Sequence, residues 1–424
     1  MREMNNTGIE WCPSIPMNWE MRRVKELFYI SKEKAGIQNP TVLKLARSGI
    51  QVKDVTVNEG QMAESYDDYN PVHIGDLLLN PMDLYSGANC NVSEVEGVIS
   101  PAYVNLRAKA QLNPYYFDYY FKVQYWAMAM FAHGKGVSYD NRWTINAEGV
   151  KNYEVPFPAV EEQNAIVDVI QRKCTQIDTL IANSEQQIEK LKAYKQSVIT
   201  ETVTKGLDPD AEMKDSGIEW IGIIPETWRL SHIGNLAQIG SGGTPNRNNP
   251  EYWKDGTIPW MSSGEINLEY VNDTAEKITE LGMMNSNAKL LPVHTVMLGL
   301  IGQGKTKGLT AILNIECTCN QNLAYLIPNK FLYYKYLFYC FKSMYVFIRG
   351  IVGESQAGIY QGFLKKQYIP LPSFEEQEQI CDYLDERCEK IDRLIAIKQQ
   401  KIEKLQQYKK SLIYEYVTGK KEVS

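Results

Sequence analysis

Several common patterns are missing from this sequence of 424 residues. No apolar run is long enough to span a membrane, because the most apolar stretch, 331–352, is broken by Lys335, Lys342 and Arg349. No apolar segment follows the first residues, so we expect no signal peptide. The eight cysteines have no framework spacing, which predicts reduced thiols and a cytoplasmic location.

Motifs for metal binding and catalysis are also missing. The four histidines are scattered, and Cys317-Thr318-Cys319 has no second ligand pair at zinc spacing, so we predict no metal site. No Ser/His/Asp or Cys/His set stands out, and we therefore assign no catalytic residue. Asn80-Pro81-Met82-Asp83 is only partly similar to the Asn-Pro-Pro-aromatic motif of adenine methyltransferases, because it lacks the second proline.

One nucleotide-binding motif is present, at residues 299–306, which read GLIGQGKT and satisfy the P-loop pattern. A P-loop Lys-Thr opens a helix whose N-terminus holds the phosphates, but here Lys307-Gly308 and β-branched residues follow. We therefore interpret the stretch as a glycine-rich, basic β-loop. An NTP-binding enzyme that uses this loop is one alternative function, and a coiled-coil adaptor that binds no DNA is another.

The chain contains one unit written twice. Residues 155–206 recur without a gap at 369–420, an offset of 214, with roughly half of the positions identical. The opening segment Gly8-Ile9-Glu10-Trp11 reappears as Gly217-Ile218-Glu219-Trp220. A repeat of this size predicts an architecture with pseudo-twofold symmetry.

The repeated segments predict two long helices. No Gly or Pro occurs between Glu161 and Thr204, a length of about 65 Å at about 1.5 Å per residue. Heptad-like 4-3-4-3 spacing in both copies predicts that the helices pair in a coiled coil, although two separate amphipathic helices are the alternative. The predicted coiled-coil positions are Ile177, Ile181, Ile188, Leu191, Val198, Ile391, Ile395, Ile402, Leu405 and Leu412. We expect Leu180, Tyr194, Leu394 and Tyr408 to widen this stripe.

Prolines precede each helix, and we expect them to stop the strand before it. The regions between the repeats, roughly 20–154 and 229–368, combine short apolar strands with one aromatic-rich helix each, and they share little identity. The predicted fold class is therefore α+β, with two domains of mixed α/β structure separated by two long helices.

Charge and loop composition indicate contact with nucleic acid. The chain has a net charge of −6, but residues 229–368 carry +4. Arg, Asn and Gln read base edges and Lys holds phosphates, although ordinary solvated loops are the alternative interpretation. The candidate DNA-binding residues are Lys135, Ser138, Tyr139, Asn141, Arg142, Thr244, Asn246, Arg247, Gln303, Lys305, Lys307, Ser355, Gln356 and Tyr360.

Taken together, these features make the chain similar to the specificity subunit of type I restriction–modification systems over essentially its whole length. The resemblance rests on Ser216-Gly217-Ile218-Glu219-Trp220, on Ser241-Gly242-Gly243-Thr244-Pro245, and on the twice-written Pro-x-Pro…Glu-Gln stretch before each helix. The first variable region lacks the Ser-Gly-Gly-Thr-Pro loop.

This resemblance implies a non-catalytic subunit whose two target recognition domains each bind half of a bipartite site on double-stranded DNA. An antiparallel coiled coil would space the domains, two methyltransferase subunits would dock on it, and restriction/translocase subunits would join them. S-adenosylmethionine, ATP and magnesium would belong to those partners, with no cofactor in this chain and no membrane partner. The implied domains are 1–158 (target recognition), 159–206 (spacer helix), 207–215 (linker), 216–372 (target recognition) and 373–424 (spacer helix).

Overall fold

The computed structural model of the protein describes residues 2–36, 39–46, 48–55, 65–82, 84, 89–109, 111–136, 143–301, 306–352 and 359–423. The chain forms two compact units, which we call the first unit (residues 1–185 with 399–424) and the second unit (residues 186–398). Each long helix is divided between the two units.

The first unit combines short strands with one aromatic helix. Its strands are β1 (Met4–Asn6), β2 (Ser14–Pro16), β3 (Glu20–Arg23), β4 (Phe28–Ile30), β5 (Leu43–Ala46), β6 (Gly49–Val52), β7 (Asn70–Val72), β8 (Leu77–Leu79), β9 (Cys90–Val92), β10 (Gly97–Ile99), β11 (Val104–Ala108) and β12 (Glu154–Phe157). Its helices are α1 (Val24–Leu27), α2 (Pro114–Trp126), α3 (Ala147–Asn152) and the first part of α4 (Val160–Lys205). The main sheet is antiparallel with the order β4-β11-β8-β9.

The second unit repeats this plan with a larger sheet. Its strands are β13 (Met213–Asp215), β14 (Ile223–Pro225), β15 (Arg229–His232), β16 (Ala237–Ser241), β17 (Ile258–Met261), β18 (Tyr270–Val271), β19 (Glu276–Ile278), β20 (Val296–Gly299), β21 (Thr310–Leu313), β22 (Thr318–Cys319), β23 (Leu323–Pro328) and β24 (Tyr368–Leu371). Its helices are α5 (Ile233–Leu236), α6 (Glu280–Met284), α7 (Tyr334–Val352), α8 (Gln361–Lys366) and the first part of α9 (Phe374–Val417). The main sheet has the order β16-β23-β20-β21-β18, and β17 pairs with β19 and β22 beside it.

The long helices α4 and α9 begin and end within two residues of the positions that the repeat predicts. Each is followed by a glycine in the left-handed region, Gly206 at φ +76° and Gly419 at φ +68°, which is how many helices end. In the second unit Lys398 donates to Gln187 (2.6 Å) and Lys195 to Asp392 (2.7 Å), so the two helices run in opposite directions there. The repeat-equivalent ion pair in the first unit joins Lys409 to Asp178, also at 2.7 Å.

The predicted heptad positions of the long helices are less exposed than the wider stripe. Ile177, Ile188, Ile391 and Leu412 are buried, and the other six predicted positions are half-buried. The expectation that four further residues widen the stripe is wrong, because these side chains stay exposed. They are Leu180 (45%), Tyr194 (55%), Leu394 (47%) and Tyr408 (52%).

Two of the prolines before the helices, Pro158 and Pro372, directly follow the last strand residue as predicted, but Pro156 and Pro370 lie inside the strands, which corrects that part of the prediction. Pro156 of β12 pairs with Met21 of β3, and Pro370 of β24 pairs with Leu230 of β15. Both pairings are two-stranded, so each proline can turn its missing N–H away from its partner.

A buried glutamine in the first turn of each long helix joins three segments of its unit. The Gln163 amide donates to the Pro158 carbonyl (2.9 Å) and accepts from the Asn113 N–H (2.9 Å) just before α2. Gln377 does the same in the second unit, with the Pro372 carbonyl (3.1 Å) and the Tyr333 N–H (2.8 Å). Neither side chain reaches solvent, so the aromatic helix of each unit is fixed to the start of its long helix.

The residue before each glutamine holds the opening segment of the same unit. Trp19 Nε1 donates to Glu162 (2.8 Å), and Trp228 Nε1 donates to Glu376 (3.0 Å). The far end of the other long helix closes each unit, because buried tyrosines of α2 and α7 donate to its last carbonyl groups. These bonds join Tyr116 Oη to Val417 O (2.8 Å) and Tyr336 Oη to Val203 O (3.1 Å).

All eight cysteines are buried, and none forms a disulfide. Within the described residues, we find no helix with enough apolar length to span a bilayer.

Replacing Gln377 by alanine should lower the free energy of unfolding by about 2–4 kcal/mol, because it leaves the Tyr333 N–H and the Pro372 carbonyl buried without a partner. Urea denaturation followed by circular dichroism measures the change. Gln400→Ala, at an exposed position of the same helix, is the matched control. Equal midpoints for the two variants would show that the buried bonds do not stabilise the unit.

Candidate nucleic-acid interface

The polar loops of the second unit leave the five-stranded sheet together, at one end of its strands. Ser241 at the end of β16 pairs with Ala324, and Gly299 at the end of β20 pairs with Leu323 at the start of β23. The loops after β16 and β20 and the turn 320–322 before β23 therefore leave the sheet side by side. We call this place the loop edge.

Two further backbone bonds tie the loops of this edge together. Leu300 N donates to Asn322 O, and Ile359 N donates to Leu300 O, both at 2.9 Å. The turn before β23 therefore lies between the loop after β16 and the loop after β20. Segments distant in sequence meet there because antiparallel strands place alternate connections at the same end of a sheet.

Two glycines allow the loop after β16 to lie directly on the β22 backbone. A Cβ on Gly242 would stand 1.9 Å from the Cys319 carbonyl oxygen, and one on Gly243 would stand 2.7 Å from Asn287. Gly243 N donates to that same Cys319 carbonyl at 2.9 Å. This close approach brings Thr244 to the turn before β23, where its hydroxyl donates to the side-chain carbonyl of Gln321.

Arg247 is held within the unit instead of projecting freely. Its guanidinium lies 3.9 Å from the ring centroid of Trp253 and 4.8 Å from that of Trp260. It also donates to both carboxylate oxygens of Glu276, with Nη2 at 2.8 Å. The ion pair raises the pKa of Arg247 and lowers the pKa of Glu276. Cation–π and charge-assisted contacts on one guanidinium fix the shape of the loop that carries it.

The other candidate residues of the second unit have different surroundings. Asn246 is exposed, and its side chain accepts from Asn248 N (3.0 Å), which is the hydrogen bond of an Asx turn. Tyr360 is 68% exposed, whereas Lys307 is only 7% exposed. Asn246 and Tyr360 are therefore available at the surface, whereas Thr244 is half-buried and Lys307 is buried.

The first unit presents the same edge of its own sheet. Leu79 at the end of β8 pairs with Val104 and Cys90, so residues 80–82, which follow β8, leave the sheet at the end where β11 begins. Ile145 N donates to Pro81 O at 3.0 Å and brings the segment around Lys135 beside these residues. Lys135 is exposed. Its backbone N–H donates to Thr144 O, and its carbonyl accepts from Thr144 N.

The remaining candidates lie outside the described residues, so their placement stays a prediction. They are Ser138, Tyr139, Asn141, Arg142, Gln303, Lys305, Ser355 and Gln356.

The described part of the GLIGQGKT stretch belongs to a hairpin. Gly299 N donates to Leu309 O, and Gly308 N donates back to Gly299 O, both at 2.9 Å. The next element is β21, which pairs antiparallel with β20. A strand thus stands where a P-loop requires a helix, which agrees with the β-loop interpretation.

Sequence reasoning missed the turn before β23. Asn320, Gln321 and Asn322 are three consecutive amides between apolar segments, and only Gln321 is exposed. That run was a visible signal of a turn, because asparagine side chains bond to the backbone of tight turns.

The chain is similar to known proteins in both sequence and fold. Residues 225–407 match the family model described as the type I restriction modification DNA specificity domain. The chain is 25% identical to the type I restriction enzyme MjaVIII specificity subunit of Methanocaldococcus jannaschii, over 96% of this chain and 93% of that protein. It is 24% identical to the EcoR124I/EcoR124II specificity subunit of Escherichia coli, over 62% of each.

Two solved structures share the fold. A chain from work on complex assembly and conformational transition of the type I R-M system superposes with a TM-score of 0.73 and 17% identity, covering 95% of this chain and 98% of that one. The HsdS subunit from Thermoanaerobacter tengcongensis gives 0.54 and 17%, covering 96% and 98%. The matched family model describes a class of proteins with a DNA specificity domain. Together the matches confirm the resemblance to the specificity subunit of type I restriction–modification systems that the sequence predicts.

The Arg247–Glu276 ion pair should make stability depend on pH. The pKa of Glu276 is lowered from 4.5 by its hydrogen bond to Arg247, so its stabilising effect is present above about pH 4.5 and is lost as pH falls through the lowered value. At pH 7 the variant Glu276→Gln should be less stable by under about 1 kcal/mol, because the pair is exposed. Melting temperatures of both proteins, measured between pH 7 and pH 3.5, should converge at the acid end. A constant difference would show that the carboxylate charge has no role.

Proposed function

We propose that this chain is the subunit that gives a type I restriction–modification complex its DNA sequence specificity, with each unit binding one half of a bipartite site. The observation that carries the proposal is the repeated loop edge. Each unit presents polar loops at the same end of its main sheet, and each is anchored by the same glutamine and tyrosine bonds. The loops themselves differ, as two half-sites of different sequence require.

In this proposal α4 and α9 pair as an antiparallel coiled coil that spaces the two recognition domains. The opposite helix directions in the second unit and the ion pairs Lys195–Asp392 and Lys409–Asp178, which are equivalent under the 214-residue repeat, support it. Half-sites about one helical turn apart, roughly 34 Å, must be bound in phase, and a stiff helical spacer satisfies that requirement.

Two methyltransferase subunits would dock on the outer face of this spacer. The exposed Leu180 belongs to the first unit, and so does Tyr408, which is next to Lys409, the ion-pair partner of Asp178. In the second unit Leu394 and Tyr194 hold the equivalent positions beside the other ion pair. Large apolar side chains left exposed at repeat-equivalent places fit two copies of one apolar partner.

The remaining parts of the complex would supply the chemistry. The methyltransferase subunits would bring S-adenosylmethionine, and the restriction/translocase subunits would bring ATP and magnesium. This chain would contribute specificity without a catalytic group, in the cytoplasm. Its net charge of −6 fits a subunit that binds DNA firmly only within the assembly, where partners add positive charge.

Exchanging residues 229–368 for the corresponding region of another specificity subunit should change one half of the methylated motif and leave the other half and the spacing unchanged. The reason is that the other loop edge and both spacer helices are retained. Methylation-sensitive sequencing of cells that express the hybrid with its methyltransferase measures the motif. A change in both halves, or none in either, would refute independent half-site recognition.

The double variant Leu180→Asp/Tyr408→Ser should reduce the bound methyltransferase subunits from two to one, because only one of the two proposed docking faces is altered. Native mass spectrometry of the purified complex counts the subunits. Leu281→Asp, at a similarly exposed leucine of α6 (46%), is the matched control and should retain both. Two bound subunits on the double variant would place the docking face elsewhere.

A further inference from the structure

The turn before β23 carries Gln321, a side chain to which the proposed function assigns no role. Gln321 is exposed at its tip, at the loop edge, between the loop after β16 and the loop after β20. Asn320 Oδ1 accepts from Asn322 N at 3.0 Å and holds the backbone of the turn. The turn therefore presents Gln321 from a fixed base.

The side chain of Gln321 also has a set orientation. The Thr244 hydroxyl donates to Oε1, which places Thr244 at the carbonyl oxygen of the amide. That oxygen has a second lone pair, and the Nε2 group carries two donors. A glutamine oriented in this way can present one donor and one acceptor together to a ligand, at a lower entropic cost than a free side chain.

We propose that Gln321 is a specificity-determining residue of the second recognition domain and contacts an adenine in the major groove, with Thr244 as its positioning residue. Glutamine binds adenine through both amide atoms, because Nε2 donates to N7 while Oε1 accepts from the N6 amino group. The inference rests on the proposed function, which gives the loop edge its DNA.

The first unit shows why this contact would serve one half-site only. The turn before β11, at the same place in its sheet, has the sequence Ser100-Pro101-Ala102-Tyr103. Ser100 Oγ is engaged with Ala102 N at 3.4 Å, and neither Pro101 nor Ala102 can form the paired amide contact. The two units would thus bind unlike bases from equivalent positions.

The test uses the full chain expressed with its methyltransferase subunits, with the methylated motif mapped by sequencing. Gln321→Ala should make one adenine position degenerate, with discrimination there falling about tenfold or more. That position should lie in the half that changes when residues 229–368 are exchanged. Thr244→Val, which removes the hydroxyl donor, should weaken discrimination at the same position. Gln321→Glu should shift the preference there from adenine toward cytosine, because a carboxylate accepts from cytosine N4.

Asn314→Ala is the matched control, because Asn314 is an exposed amide just after β21, at the opposite end of the same sheet. Its motif should equal that of the wild type. An unchanged motif for all Gln321 variants would overturn the inference, as would an equal loss of methylation at every site without degeneracy. If the wild-type complex methylates a bipartite motif, these outcomes refute the adenine contact alone. If it methylates none, the proposed function fails together with the inference.

Discussion

A single buried amide in the first turn of each long helix sets the geometry of its unit. Gln163 and Gln377 each contact the proline segment before the helix and the backbone just before the aromatic helix. Because a buried amide left without partners is costly, its bonds hold these three segments in one arrangement. The polar loops of the loop edge leave the sheet that packs on that aromatic helix, so their position relative to the long helix depends on this residue.

The sequence determines much of this frame by itself. The missing Gly and Pro and the heptad spacing are local signals, and α4 begins one residue before and ends one residue after the predicted 161–204 segment. The short apolar strands were also predictable, since a run such as Leu77–Leu79 is stable only when it is buried in a core. The repeat gave the two-unit plan, because a segment written twice must pack in two similar surroundings.

The side-chain contacts of the candidate site could not be predicted without the fold. Nothing in the sequence indicates that Thr244 and Gln321 touch, because 77 residues separate them and only the strand order brings them to one edge. Arg247 was predicted as a DNA contact from its type and the composition of its loop, and its partners Trp253 and Glu276 depend on tertiary packing. Leu180 was expected to widen the apolar stripe of its helix, yet its side chain is 45% exposed. Residue type indicates what a side chain can do, and the topology decides which partner it meets.

The division of the chain into units has a consequence for synthesis. The second unit is one continuous segment, 186–398, whereas the first needs residues 399–424 to complete it. Leu412, Ile413, Tyr416 and Val417 belong to the buried core of the first unit. On the ribosome, the half encoded first therefore lacks part of its interior until residues 412–417 have been synthesised, by which point all of the second unit has been made. The usual order, in which the N-terminal domain matures earliest, is thereby reversed.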